Sequence, residues 1–241
     1  MERATIVQYW HEVPPPDVAC LIATFADMNP GMEHRLFDAR EAEAFIEGHF
    51  TAREVNAFRA CAAPTMQADY FRYCAILALG GIYSDSDFRC VAELDALLPE
   101  RGYGRLFGGR EGHVVNGVFA FGSGGHEFLK LALEIATLNI ERRISEEVYF
   151  LTGPPIFSIL VWLSHCGSFK ALADKLKGTQ FGYFAEFYCE AIGDYGRICS
   201  AMHGIEILPL AEGAFVRPSK TRLLYKDSEM HWGNMRGSPF R

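Results

Sequence analysis

The sequence lacks the features that mark membrane-spanning and nucleic-acid-binding proteins. Its longest apolar run, near Ile156 to Leu163, is interrupted by Ser158 and is far shorter than the ~20 apolar residues of a spanning helix. The amino terminus has no apolar segment typical of a signal peptide. The 23 Lys and Arg residues are outnumbered by 30 Asp and Glu residues, for a formal net charge of -7, and they form no basic stripe. We therefore expect no transmembrane segment and no nucleic-acid partner.

The sequence also lacks a Cys-x-x-Cys pair. Its cysteines are odd in number and scattered, which is typical of reduced core thiols and not of a disulfide framework or a zinc site. The seven are Cys20, Cys61, Cys74, Cys90, Cys166, Cys189 and Cys199. This pattern predicts a reducing compartment and hence a cytoplasmic location.

Length and composition predict one domain spanning residues 1–241. A chain of 241 residues with 49% hydrophobic and 22% charged residues fits a single compact α/β domain with a sizeable core. The first predicted segments alternate between strand and helix, as in an α/β domain. The pattern predicts a strand over Thr5–Trp10, a helix over Val18–Asp27, a second strand over His34–Phe37 and an acidic helix over Asp38–Glu47.

A longer helix is predicted over Thr65–Leu79. Proline at position 64 suits a first helical turn, and Gly80 suits the left-handed backbone that ends many helices. Asp69 and Arg72 lie three residues apart and share one face. Four residues at helical spacing predict a core-facing stripe: Met66, Tyr70, Tyr73 and Leu77.

A carboxylate pair follows this helix. After Gly80 and Gly81 the chain reads as a short apolar strand, and Asp85 and Asp87 come at its carboxyl end. In open α/β sheets ligands collect at this edge. If the backbone there is extended, residues two apart point the same way, so both carboxylates can converge on one hard cation that also holds phosphate oxygens.

This stretch resembles glycosyltransferase family 32, a family of Asp-x-Asp sugar transferases. The family pattern runs Ala-Asp-x-x-Arg-Tyr, an apolar helix, then Gly-Gly-x-Tyr-x-Asp-x-Asp. The matching positions in this chain are Ala68, Asp69, Arg72, Tyr73, Gly80, Gly81, Tyr83, Asp85 and Asp87.

The resemblance implies a GT-A-like fold, in which a mixed, mainly parallel sheet is flanked by helices. It also implies a retaining, metal-dependent transfer of a sugar from a nucleotide-sugar donor to a hydroxyl of a glycan or other acceptor. UDP-sugars are favoured and GDP-sugars are the alternative. Mn²⁺ is the expected cofactor, with Mg²⁺ as the alternative, and peripheral association with a membrane is compatible with this class.

The resemblance also implies roles for the catalytic residues. Asp87 would be the direct metal ligand, and Asp85 would contact the cation or the ribose. Asp69 and Arg72 would hold the sugar hydroxyls and the diphosphate. Tyr83, a fixed position of the motif, would join the donor-binding set.

Four further residues match donor-binding positions of the family, and three of them have a purely structural alternative. Trp10 would stack on the nucleotide base at the end of the first strand, or belong to the core. Asn116 would lie near the donor sugar, or its amide would bond to backbone. Thr152 and Gly153, before an apolar helix, would present free N–H groups to the donor, or Thr152 would only cap that helix.

A last candidate lies near the carboxyl terminus. His231 and Trp232 resemble the beginning of the family's closing His-Trp-x-Gly-Ser-Trp, but Asn234, Met235 and Arg236 replace its end. His231 is either a metal or diphosphate ligand, since imidazole suits manganese, or a solvated surface residue.

Two other functions fit the carboxylates less well. A metal-dependent phosphohydrolase could use Asp85 and Asp87 as metal ligands, but such enzymes usually cluster more His and Asp ligands. A catalytically silent sugar- or protein-binding module would not need the intact set of Asp69, Arg72, Asp85 and Asp87.

Overall fold

The computed structural model describes residues 3–108, 113–209, 214–216, 223 and 238–241. Its strands are β1 (Thr5–Tyr9), β2 (Glu33–Phe37), β3 (Gly81–Ser84), β4 (Arg89–Cys90), β5 (Gly104–Gly108), β6 (Val114–Phe121), β7 (Ile205–Pro209) and β8 (Phe215–Val216). Its helices are α1 (Pro16–Met28), α2 (Ala39–His49), α3 (Ala52–Ala60), α4 (Pro64–Leu79), α5 (Glu127–Arg142), α6 (Val148–Leu151), α7 (Pro155–Cys166), α8 (Phe169–Leu176), α9 (Gln180–Ile192) and α10 (Tyr195–Ala201).

Six strands form the central sheet in the order β2-β1-β3-β6-β5-β7. Strand β1 is parallel to both β2 and β3, and β7 is parallel to β5. Strand β6 runs antiparallel to its neighbours β3 and β5. The carboxyl ends of β1, β3, β5 and β7 therefore meet the start of β6 at one edge of the sheet. The prediction of a mixed, mainly parallel α/β sheet flanked by helices is confirmed.

Both faces of the sheet are buried, which explains why the central strands are largely apolar. Val7, Tyr83 and Phe119 point into the larger core, which includes residues from α2 through α5 and from α7. Their chain neighbours Ile6 and Ile82 point into a smaller core on the other face, beneath α1 and the two-stranded β4–β8 sheet. This alternation along each strand is the period-2 pattern of a sheet buried between two layers.

Helix α4 crosses the larger core. Every residue from Met66 to Ile76 is buried except the half-buried Ala68, so the face that carries Asp69 and Arg72 is enclosed as well. Of the predicted stripe only Leu77 is half-buried, whereas Met66, Tyr70 and Tyr73 are fully buried. Enclosing two ionisable side chains in this way requires compensating partners.

The glycine pair after α4 is required by close contacts of the backbone. Gly80 has a φ of 72° and Gly81 a φ of 91°, a region that side-chain-bearing residues rarely adopt. A Cβ atom on Gly81 would lie 2.3 Å from the carbonyl oxygen of Thr5 in β1, and one on Gly80 would lie 2.7 Å from the backbone of Ser123. The two glycines thus let the chain turn from α4 directly into β3 beside β1.

Several elements differ from the sequence-based expectations. Strand β1 ends at Tyr9, one residue before the predicted end, and α1 begins two residues earlier than predicted, at Pro16. Other elements were not predicted, among them α3 and β5. In the part of the chain that the structure describes, no single helix is long and apolar enough to cross a membrane; α7 and α8 meet such a test only as a pair bent by 116°.

Candidate functional site

The Asp-x-Asp motif lies in a turn at the carboxyl edge of the sheet. Strand β3 ends at Ser84, and the Phe88 N–H donates to the Asp85 carbonyl at 3.2 Å to close the turn. The motif is therefore at the predicted edge, but the prediction of an extended backbone through Asp85 and Asp87 is wrong. The strand pairing of β3 with β6 ends at this turn. The rule that side chains two residues apart in a strand point the same way therefore does not apply to the two carboxylates.

Hydrogen bonds to both neighbouring strands hold this turn. The Asp85 N–H donates to the Gly117 carbonyl of β6 at 2.7 Å. The hydroxyl of Ser86, between the two aspartates, donates to the Tyr9 carbonyl at the end of β1 at 3.0 Å. Asp87 is buried, with 7% of its surface exposed. The turn is thus fixed between the ends of β1 and β6.

Arg72 connects α4 to the Asp-x-Asp turn. Its Nη2 lies 2.9 Å from Oδ1 of Asp69 and 3.0 Å from Oδ1 of Asp85. Its Nη1 donates to the Asn116 carbonyl at 2.8 Å, and its guanidinium carbon lies 4.7 Å from the centre of the Tyr83 ring. The buried guanidinium is thus shared by two carboxylates and stacked on an aromatic ring. This network provides the partners that the enclosed face of α4 requires.

The two aspartates that share Arg72 differ in exposure. The Asp69 side chain is 8% exposed, whereas that of Asp85 is 24% exposed. Burial raises the pKa of the Asp69 carboxyl to about 6, with the nearby charge of Asp85 adding to the rise and Arg72 opposing it. Burial by itself lowers the pKa of Arg72, but the charge of Asp85 raises it above its ordinary value. Arg72 is therefore a permanent cation beside the turn.

Asn116 holds Asp69 from β6. Its Nδ2 donates to Oδ1 of Asp69 at 3.0 Å and to the Tyr73 hydroxyl at 2.9 Å. A register shift places Leu106 of β5 opposite Phe119 but the next residue opposite Val115, so residues 116–118 of β6 are left out of this pairing. The alternative that Asn116 is a strand-edge amide satisfied by backbone is wrong, because β6 is an interior strand and the amide bonds mainly to side chains.

Thr152 completes the shell around Asp69. Its hydroxyl donates to Oδ2 of Asp69 at 3.3 Å, and its carbonyl accepts from the Tyr73 hydroxyl at 2.6 Å. Thr152 is the residue after α6, and the N-cap of α7 is Pro154, so the alternative that Thr152 only caps α7 is wrong. Gly153 is needed for close packing, since a Cβ there would lie 2.5 Å from the Tyr149 carbonyl.

Tyr73 is a member of this network that the sequence-based reasoning assigned only to the core stripe. Its phenol joins three elements, because it lies on α4, accepts from Asn116 of β6 and donates to Thr152 between α6 and α7. The signal that points to it is its fixed place in the Arg-Tyr pair of the motif. Tyr83, in contrast, is 1% exposed and packs against Arg72, a position that supports the guanidinium, and its part in donor binding stays a prediction.

Trp10 lies at the same edge, on the far side of the turn from β6. It directly follows β1, its backbone N–H donates to the Phe37 carbonyl at 3.0 Å, and the residue is half-buried. The carbonyl of the preceding residue, Tyr9, accepts a hydrogen bond from the Ser86 hydroxyl. Trp10 is thus brought next to the Asp-x-Asp turn, and its contact with a nucleotide base stays a prediction.

The side chains of the turn suit a hard divalent cation. Two carboxylates of one turn, Asp85 and Asp87, offer the oxygen ligands that such cations prefer, and Asp85 is partly exposed. Within the described residues no group of three or more His, Cys, Asp and Glu side chains comes together at a metal-binding spacing. His231, the third predicted ligand, lies outside the described residues.

Comparisons with known proteins agree with this site. Residues 15–103 match the family model described as "Glycosyltransferase sugar-binding region containing DXD motif". This range is just over a third of the chain, and it includes Asp69, Arg72, Asp85 and Asp87. The Asp-x-Asp turn therefore lies within the range that matches this sugar-binding region.

One curated relative and one solved structure add to this match. The chain is 31% identical over 75 residues to "Initiation-specific alpha-1,6-mannosyltransferase" of Schizosaccharomyces pombe, a match that covers 30% of this chain. The chain spans about a fifth of the length of that relative. The fold is similar to that of "PaToxG Glycosyltransferase", with a TM-score of 0.51, 15% identity and coverage of 84% of this chain and 86% of the other. The chain therefore has a GT-A-like glycosyltransferase fold.

Proposed function

We propose that this chain transfers a hexose from a nucleoside-diphosphate sugar to an acceptor hydroxyl, in a reaction that depends on a divalent cation. The observation that carries the proposal is the buried Asp69–Arg72–Asp85 network at the carboxyl edge of the sheet. It lies within a glycosyltransferase sugar-binding region, on a GT-A-like fold. The name of the curated relative, a mannosyltransferase, supports a hexose as the transferred group.

The turn supports binding of the donor diphosphate. Asp85 and Asp87 would hold a cation, Mn²⁺ in the first instance and Mg²⁺ as the alternative. When bound, such a cation supplies a Lewis acid that stabilises the negative charge of the leaving nucleoside diphosphate. The backbone of the turn is fixed by hydrogen bonds and Arg72 holds the Asp85 carboxylate, so little conformational freedom would be lost on binding.

Arg72 contributes a permanent positive charge next to the cation site. Because it is held between Asp69 and Asp85, it orients the Asp85 carboxylate and partly neutralises it. Asp69 is in turn held by Asn116 and Thr152, so its remaining hydrogen-bonding capacity points to a fixed position where a donor sugar hydroxyl is expected. We therefore assign Asp69 to sugar recognition and Arg72 to positioning.

The finer features of the reaction are part of the proposal. Trp10 would stack on the base, with UDP-sugars favoured over GDP-sugars, and transfer would retain the anomeric configuration. The acceptor would be a glycan or another hydroxyl compound. All seven cysteines are free, which supports a reducing, cytoplasmic environment.

Turnover of labelled nucleotide sugars tests the proposal. UDP- and GDP-linked hexoses, incubated with the chain and Mn²⁺, should release nucleoside diphosphate and yield transferred or free sugar, and a chelator should abolish this. Asp27→Asn, which changes an exposed aspartate of α1, serves as the control for a loss of one charge and should keep full activity. Release of inorganic phosphate from simple phosphate esters, without turnover of any nucleotide sugar, would support the phosphohydrolase instead.

A further inference from the structure

A second concave site lies at the same edge of the sheet as the Asp-x-Asp turn. It is a cavity of about 400 Å³, within the size range of small-molecule sites. Its floor includes Gly108, the last residue of β5, and Val114, the first residue of β6. Because β5 is parallel to β3, its carboxyl end lies at the edge where β3 leads into Asp85.

The sheet order fixes the direction of the cavity from the donor site. Strands β3 and β5 are separated by β6, so at ~4.8 Å per strand they lie about 10 Å apart across the sheet. The end of β5 also lies further along β6, because Gly108 is opposite Val114 and Ser84 is opposite Val118. Trp10, the proposed base-stacking residue, follows β1 on the opposite side of β3. The proposed base-stacking residue and the cavity therefore lie on opposite sides of the Asp-x-Asp turn, so the cavity is available to the other substrate of the proposed reaction.

An aromatic ring held by its neighbours forms one wall of the cavity. The indole of Trp162 on α7 is half-buried and packs against the rings of His113 at 5.2 Å and Phe181 at 5.3 Å. Phe181 also contacts His113, so the three rings form a closed cluster. A rigid indole of this kind offers a broad apolar surface at low entropic cost.

Polar groups stand at the rim of the same cavity. The Nδ1 of His165 lies 2.7 Å from the Val161 carbonyl and must donate to it, so in the neutral imidazole Nε2 is an acceptor. The exposed Lys175 adds an ammonium with three donors. An apolar ring beside hydrogen-bonding groups of both kinds matches a sugar, which has an apolar C–H face and a rim of hydroxyls.

We propose that this cavity binds a sugar unit of a glycan acceptor, remote from the hydroxyl that receives the transferred hexose. The inference rests on the proposed function, because it assigns the second substrate of that reaction. Trp162 carries the apolar face of the sugar, and His165 and Lys175 bind its hydroxyls. The cavity selects among acceptors and takes no part in donor binding.

A printed array of mannose-, galactose-, glucose- and N-acetylglucosamine-terminated oligosaccharides tests the proposal with the full chain. The parent should bind at least one class of glycan in the absence of any nucleotide. Trp162→Ala should weaken that binding at least tenfold. Tyr183→Ala, which removes another exposed aromatic ring that does not line the cavity, should change it less than twofold.

A second variant keeps the test independent of the folding of Trp162→Ala. Ile207 lines the cavity on β7 and is 38% exposed, so Ile207→Trp should fill the cavity without disturbing the core. It should abolish glycan binding and leave the calorimetric affinity for UDP or GDP with Mn²⁺ unchanged. The inference is overturned if both variants still bind glycans as the parent does. It is also overturned if the parent binds no glycan on the array. If glycans bind at Trp162 but no nucleotide binds, the proposed function fails instead.

Discussion

At the scale of single residues, the buried charges of α4 organise the site. Arg72 is held by backbone as well as by carboxylates, since its Nε donates to the Ala68 carbonyl at 3.2 Å and its Nη1 to the Asn116 carbonyl. A guanidinium has five donors in a rigid fork, so each of these contacts restricts the others. The Asp85 carboxylate that Arg72 holds is thereby aimed before any ligand binds.

The raised pKa of Asp69 predicts a specific dependence of stability on pH. Its folded-state pKa of about 6 exceeds the ordinary value of about 3.9. Between about pH 4 and pH 6 the folded state therefore keeps a proton that the unfolded chain releases, and the contribution of Asp69 to stability falls as the pH rises. Urea denaturation should show the stability of the parent relative to Asp69→Asn falling by at most about 3 kcal/mol across this window.

Asp27→Asn controls for the loss of an exposed carboxylate, and its stability relative to the parent should stay level over the same pH range. A difference between the parent and Asp69→Asn that does not change with pH would show that Asp69 titrates normally in the folded chain.

The hydrogen bonds of the Tyr73 hydroxyl predict a second effect of a single residue on stability. Tyr73→Phe removes the hydroxyl that donates to the Thr152 carbonyl and accepts from Asn116, and it leaves both buried groups with one partner fewer. We expect a loss of about 1–3 kcal/mol of unfolding free energy, measured by denaturant titration. Tyr103→Phe, at a side chain 49% exposed, is the matched control and should lose less than about 0.5 kcal/mol. Equal effects of the two changes would contradict a structural role for the Tyr73 hydroxyl.

At the scale of elements, the passage from α4 to β3 determines where the Asp-x-Asp turn lies. Gly81→Ala would place a methyl group 2.3 Å from the Thr5 carbonyl at a φ of 91°. We expect a loss of at least about 1–3 kcal/mol, because both the contact and the backbone angle are unfavourable. Thermal unfolding measures this.

Gly48→Ala provides the comparison for Gly81→Ala. Gly48 lies in α2 with nothing within 4 Å of a new Cβ, so alanine there should stabilise the chain by about 0.5–1 kcal/mol. A Gly81→Ala variant as stable as the parent would mean that β3 can move away from β1.

Local signals explain which elements could be predicted from the sequence. Helix α4 has a proline at its start and glycines at its end, and the structure confirms its position to within one residue. Helix α3 was not predicted, although Thr51 and Glu54 form a capping box that the sequence displays as Thr-x-x-Glu. Its nine residues carry too few apolar positions to stand out by periodicity.

The geometry of the site could be predicted only in part, because it depends on contacts between distant segments. The motif identified Asp69 and Arg72, but their pairing with Asp85 requires α4 to lie under the end of β3. The bulge of β6 that brings Asn116 to Asp69 follows from its register with β5, and no residue type marks it. Burial of Tyr83 likewise depends on packing across the sheet.

At the scale of the whole molecule, the sheet separates three tasks along one edge. Trp10 after β1, the Asp-x-Asp turn after β3 and the cavity between β5 and α7 lie in that order. Helix α4 supports the middle position from the larger core. The order of strands would thus provide a linear arrangement of the proposed base, cation and acceptor sites along the edge of the GT-A-like fold.

The central claim is that Asp87 holds a cation that binds the donor diphosphate. Thermal unfolding of the parent and of Asp87→Asn, each with Mn²⁺ and UDP or GDP, tests it most directly. Ligand at 100 times its Kd should stabilise the parent by about 2.7 kcal/mol, with no shift when a chelator is present. Asp87→Asn keeps the size of the side chain but removes the charge that a hard cation requires, so it should unfold at a similar temperature without ligand and show no shift with it. An undiminished shift in Asp87→Asn would contradict the account.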